Sequence, residues 1–173
     1  MPVTLAVNSI LDRLTQATLA ALDAQGEKPA SLPRCGTAQQ AALLAGDLPA
    51  TVLLAGKLSI GEEDRNTGAL RLCQPVTLYH ARRLSPGGSA VETATGRLAG
   101  VGAALYRDYR LAGVSQAGDQ VVEMVRIIGM AGGDENPVQQ ILDMSDENGA
   151  VICVGLELEI DWVEDDLPPP VAP

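Results

Sequence analysis

Residues 150–163 read AVICVGLELEIDWV. Side chains alternate along an extended chain, so Leu156, Leu158, Ile160 and Trp162 fall on one face and Glu157, Glu159 and Asp161 on the other. A strand with one apolar and one acidic face packs one side on a core and turns the other to water. The segment therefore predicts a sheet covered by helices on one side. The residues just before it, Asp146-Glu147-Asn148-Gly149, contain Asn-Gly, a strong hairpin signal.

Working outward, residues 120–130 are rich in Val, Ile and Met and predict another strand, followed by a turn or hairpin region at Gly129–Asp134. Residues 137–144 predict one helical turn or an irregular strand. Further upstream, Val52, Leu54, Leu58 and Ile60 alternate with polar positions, which predicts a strand over 51–60 with Lys57 and Ser59 on its other face. The polar segment GEEDRNTG (61–68) predicts a loop. A second run, 69–80, places Leu70, Leu72, Val76 and Leu78 on one face. Pro75 has no N–H to give a ladder, so this strand is expected at an edge or with a bulge.

Two helices are expected. Val7, Leu11, Leu14, Thr18 and Ala21/Leu22 recur at helical spacing within 3–24, closed by Gly26 and Pro29. Val91, Ala94, Leu98, Val101 and Leu105 form one stripe within 90–107. Leu98, Val101 and Leu105 are expected to pack on Leu156, Leu158 and Ile160, with Gly96, Gly100 and Gly102 allowing close approach to the sheet. Residues 27–36 and 85–89 read as loop, and 37–46 as a short helix or turn. The fold class is α+β: a mostly antiparallel sheet of about four strands with an N-terminal and a central helix on one face. Residues 1–163 form one domain. Residues 164–173, EDDLPPPVAP, are expected to be a disordered or extended acidic, Pro-rich tail.

Composition narrows the function. Twelve Lys and Arg against 22 Asp and Glu give a net charge of −10, which argues against a broad basic surface for nucleic acid. With no Phe, one Trp and three Tyr, stacking platforms for bases or sugars are scarce. The apolar runs fall far short of the roughly 20 residues of a membrane helix. Asp12 and Arg13 interrupt the N-terminal apolar residues too early for a signal peptide. Cys35, Cys73 and Cys153 are odd in number and widely spaced, so they are expected as free, reduced thiols.

No reactive constellation stands out. His80, the only histidine, reads as a strand-end residue. The GVSQA stretch around Ser115 echoes a nucleophile elbow, but His80 precedes it in the chain and the surroundings read as loop. Gly96, Gly100 and Gly102 lie inside a helical stripe, not in a phosphate loop. Asp143, Asp146 and Asn148 lack the spacing of a calcium loop. Hence no catalytic, cofactor-binding or metal-binding residue is assigned, and no cofactor. Arg82, Arg83, Arg107 and Arg110 are candidate inter-subunit cations. Glu157, Glu159 and Asp161 are a candidate channel-facing acidic ladder, suited to passing nucleic acid without holding it; the plainer reading is an exposed sheet face.

In its order of elements the chain resembles the tail-terminator (tail completion, minor tail protein U-like) family of tailed phages. The resemblance rests on the helix ILDRLTQATLAAL, the strands TVLLAGKLSI and LCQPVTLYH, the helix VETATGRLAGVGAALY, and the strands VVEMVRIIGM and VICVGLELEIDW. It covers roughly residues 3–163. The resemblance implies a structural virion protein, not an enzyme: a ring, usually hexameric, that caps the tail tube and joins it to the head. Its partners would be itself, the tail tube protein and a head–tail connector or adaptor. DNA would pass through without specific binding, and no membrane would be involved. The protein would be assembled in the host cytoplasm and located in the virion. The alternatives are another neck or connector subunit, or a small cytosolic ligand-binding or enzyme domain.

Overall fold

In the computed structural model the described residues are 3–28, 32–37, 40–41, 48–64, 69–84, 90–131 and 149–164. Helix α1 spans Val3–Asp23. Its Ile10, Leu11, Leu14, Ala21 and Leu22 are buried, as the helical spacing requires. It ends where Gly26 takes φ +77°, open to glycine at no steric cost. The Gly26 N–H donates to the Asp23 carbonyl and the Glu27 N–H to the Leu22 carbonyl, the paired bonds of a Schellman cap. That cap fixes the direction in which Glu27 leaves the helix.

Helix α2 spans Ala90–Arg107. Ala94, Leu98, Val101 and Leu105 are fully buried, whereas Val91, in the first turn, is 55% exposed and leaves the predicted stripe. The three glycines differ. A Cβ on Gly102 would meet Ile127 and Leu156 of the sheet at 3.6–3.7 Å, and one on Gly100 would lie 2.6 Å from the Gln25 amide at the end of α1. Gly96 faces open space. Close approach to the sheet therefore explains one glycine, and helix–helix contact a second. No described helix is long and apolar enough to cross a membrane.

Among the described residues six strands are found, where about four were expected: β1 (Arg34–Cys35), β2 (Ala50–Ala55), β3 (Ser59–Asp64), β4 (Ala69–Arg83), β5 (Val122–Ala131) and β6 (Val151–Glu164). Their order is β1-β2-β4-β6-β5, with β3 also on β4. Only β1–β2 is parallel. The long strands β4 and β6 pair from Leu70↔Glu164 to Arg83↔Val151 and form the centre of the sheet.

Two local effects raise the strand count. Arg34–Cys35, expected in a loop, makes a two-residue parallel contact with β2. The strand expected over 51–60 is broken in two opposite Pro75. The Gly56 N–H still donates to the Pro75 carbonyl at 2.9 Å, but Pro75 has no N–H to return. The Gln74 side-chain amide takes that place and donates to the Gly56 carbonyl at 2.6 Å. A Cβ on Gly56 would lie 2.9 Å from the Pro75 ring, so glycine fits the break. Pro75 thus sits in a central strand, not an edge, and the irregularity falls on its partner.

The break also scrambles the predicted face. Val52 and Leu54 lie on the side away from the helices, Leu58 joins the helix-side core, and Ile60 is 68% exposed. Part of the predicted loop 61–68 is strand, since β3 runs to Asp64. Gly129–Ala131, expected in a turn, belong to β5. Glu164, assigned to the tail, is the buried last residue of β6. The expected features at 85–89, 137–144, Asp146–Asn148 and 165–173 lie outside the described residues. So does most of 37–46, where only Thr37, Gln40 and Ala41 are described.

The main core joins α1 and α2 to Leu53, Leu72, Val76 and Leu78, and to Leu156, Leu158, Ile160 and Trp162. It contains Leu98, Val101 and Leu105, as expected. A smaller core covers one end of the opposite face, with Cys35, Ala41, Val52, Tyr79, Ala81, Val151 and Cys153. The other end of that face carries the acidic ladder. All three cysteines are free, two of them buried.

Candidate functional site

Three groups of side chains fall outside simple core packing. The first surrounds His80, which is wholly buried. The β2–β4 register sets Thr51 opposite His80, and the Thr51 hydroxyl lies 2.9 Å from Nδ1. On the other side of the ring, Nε2 lies 3.4 Å from Glu27 Oε1. A carboxylate only accepts, so a proton on Nε2 facing Glu27, with the Thr51 hydroxyl donating to Nδ1, is the tautomer this neighbourhood favours, although Nε2 makes no hydrogen bond of good geometry. Glu27 Oε2 is 3.2 Å from Arg97 Nε on α2. Arg97 donates through Nη1 to the Gln25 carbonyl, and the Gln25 amide donates back to the Arg97 carbonyl at 3.1 Å. Burial lowers the His80 pKa; Glu27 opposes this, and Arg82 and Arg97 add to it.

Hydroxyl, imidazole and carboxylate in sequence resemble the order of an acyl-transfer triad. Here Thr51 is 1% exposed and lies inside the sheet, so its hydroxyl is closed to a substrate. What the arrangement does is tie the end of α1, helix α2, β2 and β4 together. Of these four residues only His80, the sole histidine, stands out in the sequence; Thr51, Glu27 and Arg97 do not.

The second group anchors the turn before β5. Buried Arg13 donates through Nη1 to the Ser115 hydroxyl at 2.7 Å and through Nη2 to the Gln120 carbonyl. Ser115 in turn donates to the Leu111 carbonyl at 2.7 Å. Ser9 donates to Asp119, whose carboxyl is held below the usual range mainly by the Gln116 N–H. Ser115 is thus part of a polar staple between α1 and this turn. The structure does not bring it to His80.

The third group is strand β5, which among the described strands is bonded only to β6 and forms the edge. Among the described residues its outer side is closed at one point, where the Val125 N–H donates to the Tyr109 carbonyl at 2.7 Å. Beside it Met124, Ile127, Ile128 and Met130 are exposed, together with Tyr106 (75%) and Tyr109. Tyr106, Tyr109 and residues 124–128 line an open groove of about 550 Å³, with Arg107 at its wall. The Arg110 guanidinium lies 5.5 Å from the Tyr109 ring centre. Large exposed apolar patches on one surface mark contact sites. The sequence carried a signal for this one: residues 121–130, VVEMVRIIGM, are apolar at positions of both parities, too many for a strand with one wet face.

The four candidate cations divide. Arg107 and Arg110 border the groove. Arg82 and Arg83 lie at the far end of β4, opposite Ile152 and Val151. Arg82 is half-buried near His80, and Arg83 donates to the Gly149 carbonyl at 3.3 Å.

The acidic ladder lies on the sheet face away from the helices, as the alternation predicts, but it is not bare. Arg126 of β5 reaches Glu159 at 3.1 Å and Asp161 at 2.8 Å. Arg71 of β4 meets Glu123 of β5 at 3.2 Å across the intervening β6. Among the described residues no group of three His, Cys, Asp or Glu is arranged to hold a metal. No protein-family model and no curated protein matches the sequence.

Proposed function

We infer that the chain is a structural subunit that assembles with copies of itself into a ring, as its resemblance to phage tail terminators implies. The observation that carries this reading is the β5 edge: a ten-residue strand that, among the described residues, has most of its outer side unpaired, flanked by exposed Met, Ile and Tyr side chains. A long apolar edge is a liability in a monomer and an asset in an assembly. The closed Thr51–His80–Glu27 chain favours a structural over a catalytic role.

In such a ring the half-covered back face, with Glu123, Glu157, Glu159 and Asp161 against Arg71 and Arg126, supplies a mildly negative channel wall. A duplex would slide past it without adsorbing. The head-proximal end of a tail tube, between tube protein and connector, is the place this reading gives the ring. Native mass spectrometry and electron microscopy of the purified chain test it. Closed rings of a fixed subunit number, capping tubes of the tail protein, are expected. A chain that stays monomeric at every concentration, and leaves tubes uncapped, refutes it.

A further inference from the structure

A closed ring needs a heterologous interface, in which two different patches of the same chain complement each other. The β5–α2 groove is one such patch. It is apolar and aromatic through Tyr106, Tyr109, Met124 and Ile128, and cationic through Arg107 and Arg110. Its complement must be acidic, apolar and able to lie in a narrow groove. Residues 165–173, DDLPPPVAP, have that chemistry: two carboxylates run into a leucine and the only three consecutive prolines of the chain. Proline-rich segments dock in aromatic-lined grooves because little entropy is lost in ordering them.

We propose that Asp165–Pro173 of one subunit docks in the Tyr106–Tyr109 groove of the next, with Asp165 and Asp166 facing Arg107 and Arg110 and the prolines against the tyrosine rings. This rests on the self-assembly reading and deepens it. The exit point favours a neighbour's groove over the chain's own. Strand β6 ends at Glu164, just past the pairing of Trp162 with Val122, while the groove lies back along the sheet at the level of Val125–Ile127, opposite Ile160–Leu158. Leu167, Pro168 and Pro169 each precede a proline, which biases them to extended conformations. A return to the chain's own groove would need the chain to reverse direction at Asp165–Asp166, before the prolines. A segment that continues outward meets another copy.

The test uses the full chain in two charge-reversed forms, Arg107→Glu with Arg110→Glu, and Asp165→Lys with Asp166→Lys. Mass is followed by light scattering across a dilution series. In either form alone every groove meets a tail of like charge, so each should dissociate at concentrations at least about tenfold higher than the parent. Mixed one to one, alternating subunits make every interface complementary again, and particles of the parent mass should return. Their return also shows that both forms are folded; unchanged circular dichroism and the assembly of Arg107→Lys with Arg110→Lys check this separately. If each form assembles like the parent, the tail–groove contact is wrong while self-assembly stands. If folded variants stay apart after mixing, the contact is equally wrong. A parent chain that never assembles overturns the ring itself.

Discussion

His80 is the only histidine of the chain, and this makes its burial measurable. Between pH 5.5 and 7.5 it is the only side chain whose ordinary pKa, about 6.5, falls in the window. The native ring is fully buried, and burial, with Arg82 and Arg97 nearby, lowers its pKa against the pull of Glu27. The unfolded chain therefore binds a proton at a pH where the native chain does not. Stability then rises with pH across this window and is lost as pH falls below the unfolded value of about 6.5. If the native ring stays neutral, one proton at one unit below that pKa removes ~1.4 kcal/mol by pH 5.5. With a urea m-value of about 2 kcal/mol/M this lowers the midpoint by about 0.7 M relative to pH 7.5. Urea titrations followed by the fluorescence of Trp162, wholly buried in the main core, give the number directly. His80→Gln, which keeps a polar side chain beside Thr51, should be less stable at pH 7.5 and flatter from 7.5 to 5.5. An equal slope in parent and His80→Gln would show that the ring titrates as freely folded as unfolded. A parent midpoint that rises on acidification would show that Glu27 wins over burial.

Leu98→Ala, at a wholly buried site between helix and sheet, should cost about 2–5 kcal/mol, read as a fall in thermal midpoint; no change would displace the α2 register. Gln74→Ala removes the donor to the Gly56 carbonyl beside Pro75 and should cost roughly 1–3 kcal/mol in urea titrations, whereas Gln74→Glu, which cannot donate when ionised, should cost no less. Cys73, only half-buried, should react with a thiol reagent well before Cys153, whose pKa burial pushes up to about 12; equal rates in the folded chain would contradict the small back-face core. In the proposed ring, replacing Glu157, Glu159 and Asp161 together by Lys should leave assembly intact but add a salt-sensitive affinity for duplex DNA. Its absence in filter binding at low salt would remove that face from the channel.

How far the fold was legible depended on whether the signal was local. The stripe Ala94–Leu98–Val101–Leu105 and the alternation from Leu156 to Trp162 each report one element's own period, and both landed on the core they predicted. Pro75 shows the limit. Its missing N–H predicts an edge or a bulge in its own strand, but nothing in the run 69–80 says on which side of the strand the fault falls, and it falls on the partner. In the structure the β6 side is paired without interruption, and the side facing Gly56 is broken and repaired by Gln74. That is a property of three segments together. The two-residue β1 is too short for any period and exists because Arg34 and Cys35 lie beside Leu53 and Leu54.

The site was less legible because it is built from contacts at long separation. Glu27 reaches His80 only because the Gly26 cap turns the chain there, and Arg97 joins from α2. Positions 27, 51, 80 and 97 share no spacing that a periodic reading could detect. The acidic ladder was legible as a face, yet its charge was not: Arg126 comes from another strand, and the bulges of β5 set it beside Glu159 and Asp161. The β5 edge was the opposite case. Its excess of apolar residues was local and visible, but a run of Val, Met and Ile also fits a strand buried on both faces. Only the strand order, which among the described strands leaves β5 with one neighbour, turns that excess from core into surface. A surface of that kind on an otherwise acidic chain marks a contact site, and that is the physical ground on which the proposed assembly rests.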